Sequence, residues 1–104
     1  MKRFKTTVTR TDEYIIEFDE NIINEEWMGD FRSCFYGFHT LEEHAEHIAQ
    51  IRARVGDGFI EGYGNTMING KPPWWNTKDY EKAINIRIVN EDRDKEIEVE
   101  EIYG

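Results

Sequence analysis

The sequence predicts an α+β domain: an antiparallel sheet of about four to six strands with two helices packed on one face, in the order ββαα followed by further strands. Three observations carry this. Apolar and polar residues alternate near both ends of the chain, the spacing of half-buried strands. Between those ends lie two consecutive stretches with helical spacing, each opened by a capping residue. Adjacent prolines, Pro72 and Pro73, then break the remainder into short pieces.

At the N-terminus, Phe4, Thr6 and Val8 alternate with Lys5, Thr7 and Thr9, a strand pattern rich in β-branched residues. Arg10 to Glu13 reads as a turn, after which Tyr14, Ile16 and Phe18 alternate with Ile15, Glu17 and Asp19. The two runs are expected to pair as a hairpin, basic residues of the first facing acidic residues of the second. Such cross-strand pairs contribute roughly 0.2–1 kcal/mol each. The period then changes. Trp27, Met28, Phe31, Cys34, Phe35 and Phe38 form one helical stripe, with Asn24 as N-cap, Glu25 and Glu26 complementing the positive end of the dipole, and Gly37 at the helix end. Cys34, on that stripe, is expected in the core. Thr40-Leu41-Glu42-Glu43 is a capping box that opens a second helix, whose stripe is Leu41, Ala45, Ile48, Ile51 and Val55 and whose stop is Gly56.

Beyond Gly56 a strand is expected over Phe59 to Tyr63 and another over Asn65 to Gly70, ending in an Asn-Gly turn. Lys71 to Asn76, with its Pro-Pro-Trp-Trp core, is a loop, and Thr77 to Lys82 is read as one helical turn. Ile84, Ile86 and Ile88 then alternate with polar neighbours. A turn at Asn90–Lys95 leads into Glu96-Ile97-Glu98-Val99-Glu100, so the chain is expected to end in a second hairpin with Glu96, Glu98 and Glu100 on one face.

Composition narrows the function classes. The chain has 104 residues, the size of one domain, and 13% are aromatic, enough large side chains to offset ordering entropy. Its formal net charge is −9, which argues against direct binding of nucleic acid or an anionic membrane. A single cysteine excludes an intrachain disulfide and a Cys-based zinc site. With no apolar run behind the basic N-terminus, a cytoplasmic protein is expected. The charge is also segregated. Residues 12–30 hold eight carboxylates and no Lys or Arg, and residues 91–101 hold seven carboxylates against Arg93 and Lys95, whereas residues 1–10 carry only basic charge.

These features favour a small acidic, non-enzymatic interaction protein whose partner presents a basic surface. Carboxylates on every second strand residue recur at about 6.6–6.8 Å, close to phosphate spacing along a DNA strand. The most concrete version is therefore an inhibitor that mimics nucleic acid toward a nuclease or other nucleic-acid-handling complex, as small anti-defence proteins of phages and mobile elements do. The residues that would make contact are Asp12, Glu13, Glu17, Asp19, Glu20, Glu96, Glu98 and Glu100, with Trp74 or Trp75 as an apolar anchor. Lysines and glutamates near the chain ends argue against dimerisation through an edge strand.

The alternative is a small-molecule or divalent-metal site near His39, His44 and His47, with the Pro-Pro-Trp-Trp loop as a lid. His44 and His47 share a helix side at i and i+3, which is not the HExxH spacing. Against it, His44 lies within the apolar stripe as a semi-buried histidine and His47 is placed to pair with Glu43. Gly62 and Gly64 form only a GxG with no strand-to-helix transition, so a dinucleotide fingerprint fails, and no Walker loop or Gly-x-Ser-x-Gly occurs. Glu61 is the one carboxylate with apolar neighbours, and a lone carboxylate does not make an acid–base pair. No cofactor is expected.

Overall fold

The computed structural model describes residues 2–91 and 96–102; the side chains of Val8, Thr9 and residues 96–102 fall outside that description. The elements run β1 (Arg3–Thr9), β2 (Asp12–Phe18), α1 (Glu25–Cys34), α2 (Leu41–Val55), β3 (Thr66–Ile68), β4 (Glu81–Glu91) and β5 (Glu96–Ile102). The fold is α+β, but its strands do not form the expected single antiparallel sheet. β2, β4 and β3 make a mixed three-stranded sheet in which β4 is central, antiparallel to β2 and parallel to β3, while β1 and β5 form a separate antiparallel pair.

Neither expected hairpin forms. A two-residue link between β1 and β2 would need left-handed backbone angles, and Arg10 and Thr11 do not adopt them, since Asn69 is the non-glycine residue with positive φ. Instead Arg10 clamps the Asp12 carboxylate through Nε at 2.5 Å and a second guanidinium nitrogen at 3.0 Å, and the chain stays extended. β1 thus pairs with β5, Lys5 opposite Glu100, rather than facing the acids of β2. The expected Asn90–Lys95 turn lies mostly outside the described residues, and on either side of it β4 pairs with β2 and β5 with β1.

The consequence is an elongated molecule. The extents are 60 × 29 × 19 Å and the radius of gyration is 17.9 Å, against about 13 Å for a compact domain of this length. The β1–β5 ribbon accounts for the excess: residues 2–7 are all exposed, on both faces of the strand. The β2–β4 half is covered. Along β2 burial alternates strictly, with Tyr14, Ile16 and Phe18 turned to the core and Glu13, Ile15 and Glu17 to solvent. Ile84 and Ile86 of β4 are fully buried against Phe31 of α1, Ile48 of α2, Ile23, Ile60 and Tyr63.

The helices keep their predicted starts and change their ends. Asn24 Oδ1 accepts the Trp27 N–H at 3.0 Å, and Thr40 Oγ1 accepts the Glu43 N–H at 3.2 Å. α1 stops at Cys34, short of Gly37, so only Met28 and Phe31 of its stripe are buried. Cys34 is exposed, contrary to expectation, because it falls in the last turn where no element lies over it. On α2 the inward line is His44, Ile48 and Arg52; Val55, assigned to the stripe, is exposed. Gly56 ends this helix with φ of 83°.

Phe59 to Tyr63 is a turn rather than a strand. Ile60 and Gly64 exchange backbone hydrogen bonds of 3.0 and 2.8 Å around Gly62, whose φ is 89°. A Cβ at Gly62 would sit 2.6 Å from the Phe31 ring, so the position requires glycine twice over. β3 ends at Asn69-Gly70 as the Asn-Gly pair predicts, with positive φ at both residues. Thr77 to Lys82 is not helical: Asn76 Oδ1 accepts the Asp79 N–H at 3.0 Å, a side-chain turn that delivers the chain into β4 at Glu81. Among the described residues no helix is long and apolar enough to cross a membrane.

Candidate functional site

The loop of residues 71–80 crosses from β3 to β4 and is anchored by Pro73, which is buried. Its two tryptophans diverge from there. Trp75 is half-buried and donates its indole N–H to Asn65 Oδ1 at 2.8 Å. Trp74 is 75% exposed, and its ring stands edge-on to Trp75 at 5.9 Å. Although in water, the Trp74 indole is tethered through its N–H, which is donated to Asp57 Oδ2 at 3.0 Å.

Asp57 is itself fixed from below. Its other carboxylate oxygen is paired with Arg52, whose side chain is 4% exposed. The Arg52 guanidinium reaches Glu91 at the end of β4 through two nitrogens, at 2.8 and 3.2 Å, and Glu91 also accepts the Tyr14 hydroxyl at 2.7 Å. Burial opposes the charge on Arg52, but the hydrogen bonds to Glu91 and Asp57 outweigh it and raise its pKa. Burial, reinforced by the bond to Glu91, pushes the Tyr14 hydroxyl up to about 12, so it donates throughout the physiological range. A chain of charge-assisted bonds therefore runs from β2 through β4 and α2 to the surface indole.

Two indole hydrogen bonds, Trp74 to Asp57 and Trp75 to Asn65, tie the 71–80 loop to the glycine-rich turn that follows α2. That turn carries Phe59, also largely exposed. The result is two exposed aromatic rings on tied loops, with Asp57 on one loop and Asp79 on the other.

The predicted acidic contacts are more divided. Glu13 and Glu20 are exposed. Asp12 is clamped by Arg10, and Asp19 accepts the Asn21 N–H at 3.0 Å. Glu17 accepts from Asn85 Nδ2 at 2.7 Å and Arg87 Nε at 2.6 Å, and these two partners hold its carboxylate below the usual range despite some desolvation. Along β2 the outward carboxylates are thus interrupted by Ile15 and partly neutralised by β4. Glu96, Glu98 and Glu100 stand opposite Thr9, Thr7 and Lys5 in the ribbon register; their side chains lie outside the described residues.

The histidines do not converge. His44 is fully buried, with Nδ1 2.8 Å from the Tyr63 hydroxyl, and its ring meets Trp27, Phe31 and Phe38 edge-on at 5.3, 4.7 and 5.3 Å. Burial lowers its pKa and raises that of Tyr63. Both groups are neutral, the imidazole tautomer sets which of them donates in this bond, and the other ring nitrogen, Nε2, has no hydrogen-bond partner among the described residues within its aromatic nest. His47 is half-buried against Tyr36, Phe38 and Tyr63 instead of pairing with Glu43, whose Oε1 accepts from the His39 N–H at 3.1 Å and the Thr40 hydroxyl at 3.3 Å. His39 is exposed. Among the described residues no group of three or more His, Cys, Asp or Glu is placed to hold a metal ion.

The Trp pair was legible as a candidate anchor. Arg52, Asp57 and Glu91 were not singled out as partners, although an arginine four residues after Ile48 on the inward face of α2 was a signal that a buried charge needed carboxylates. No family model, curated protein or solved structure matches the chain.

Proposed function

We propose that this chain is a non-enzymatic interaction protein that docks on a basic protein surface, with Trp74 as its apolar anchor. The carrying observation is the fixed presentation of that indole. A ring left 75% in water adds little to folding, yet its orientation is set by a network reaching to a guanidinium that is almost completely buried. Rigid aromatic side chains held in a binding-ready geometry lose little entropy on contact, which is how a few residues come to dominate an interface. The net charge of −9 would steer a basic partner toward the molecule.

A nuclease or other nucleic-acid-handling protein is the most concrete partner of this kind. The exposed Glu13 and Glu20 would serve as peripheral contacts, and Glu17 less so because Arg87 already neutralises it. The test is paired capture from a native lysate with wild-type protein and a Trp74→Ala variant, each eluted over a salt gradient. The expected result is a basic protein retained by wild type, released steeply between about 0.1 and 0.5 M salt, and absent from the variant. Identical retention by both proteins would remove the anchor from the reading, and retention without salt dependence would remove the basic partner.

A further inference from the structure

We propose that the cavity beside α2, bounded by the end of α1 and the turn after α2, binds a small zwitterion, an α-amino acid with an aromatic side chain, with Arg54 holding the carboxylate and Glu61 the ammonium group. This site is separate from the Trp74 surface and does not depend on it.

The cavity has a volume of about 400 Å³, within the range of about 300–1,000 Å³ usual for small-molecule sites. Its apolar lining is Phe35 and Tyr36 from the segment leaving α1 and Ile51 from α2, while Cys34, His47, Arg54 and Glu61 give it a larger polar share. Phe35 and Tyr36 are large rings that folding leaves in water, so a flat side chain laid on them would bury surface that the chain alone does not cover.

The polar lining supplies one charge of each sign. Arg54, in the last turn of α2, and Glu61, in the turn that follows, both line the cavity, and neither has an ion-pair partner among the described residues. His47, Ile51 and Arg54 fall at i, i+4 and i+7, one face of α2, so the guanidinium and the imidazole flank the same space. Burial, and then the nearby Arg54 charge, lower the His47 pKa. At neutral pH the imidazole is therefore uncharged, and Arg54 is the cation of the cavity.

An unpaired cation and anion beside an aromatic wall suit a ligand with both charges on one carbon and a ring beyond it. A monovalent ligand would leave one of the two groups facing the other's partner without compensation. Calorimetric titration with L-tryptophan, 3-indolepropionate (no ammonium) and tryptamine (no carboxylate) tests this. L-tryptophan should bind at least about tenfold more tightly than either half-ligand. Arg54→Gln should reduce L-tryptophan to the level of tryptamine, and Glu61→Gln to that of 3-indolepropionate. Both side chains are exposed, so the variants should keep the wild-type near-ultraviolet circular dichroism, which verifies the fold. No saturable binding of L-tryptophan or L-phenylalanine up to about 10 mM, equal affinity for the three ligands, or indifference to both substitutions would overturn the assignment.

Discussion

The β2–β4 pair and the β1–β5 pair are two antiparallel ladders with similar alternation of side chains and opposite fates. Over β2–β4 lie two helices and a glycine-rich turn, and Ile84 and Ile86 vanish from the surface. Over β1 lies nothing described: Phe4 is 59% exposed although it occupies the apolar register of its strand. Strand pattern creates the capacity for burial, and a covering layer decides whether that capacity is used. A two-stranded ribbon without cover is marginal by itself.

Hydrogen exchange is the most direct way to break this contrast. Amides of β1 should exchange at least about 10³-fold faster than those of Ile84 and Ile86, whose opening requires global unfolding. Comparable protection in both ladders would mean that the ribbon is covered in solution. Next in size is Arg52→Ala, which leaves Glu91 in its partly closed site without its guanidinium. Chemical denaturation should show a loss of about 3–5 kcal/mol, and the fluorescence of Trp74 should change as Asp57 loses its support.

The acid response sharpens the same comparison. The folded pKa of His44 is lowered, so the unfolded chain takes up the proton first as pH falls, and stability is lost from about pH 6.5 downward toward the folded value. His47 acts in the same direction. A His44→Leu variant should show a shallower loss of stability over that window, and an unchanged slope would place the response elsewhere. The smallest effect is expected in the ribbon, where Phe4→Ser should alter stability by less than about 0.5 kcal/mol.

Local chemistry was legible where few atoms decide the outcome. Asn24, Thr40 with Glu43, Gly56 and Asn69-Gly70 ended or turned their elements as read, because a cap or a left-handed residue acts within four positions of chain. Reading failed where the outcome depended on neighbours distant in sequence. Gly62 was read within a strand, and its positive φ, with those of Gly58 and Gly64 on either side, makes a turn in which Gly62 is matched to the Phe31 ring. Cys34 lay on a valid stripe, and α1 ended before anything could cover it.

The candidate surface divides in the same way. Pro72-Pro73-Trp74-Trp75 announced a loop with an indole to spare, because adjacent prolines deny the segment a ladder. Which indole would be exposed depended on Asp57 and Asn65, ten or more residues away. The sequence by itself determined two amphipathic helices, alternating strands, a proline-broken loop and an acidic surface. Tertiary structure alone decided that β1 would pair with β5, that Arg52 would be buried between Asp57 and Glu91, and that Trp74 would face water. Strand partnership and charge burial are settled by competition among all available partners, and composition and periodicity describe only one partner at a time.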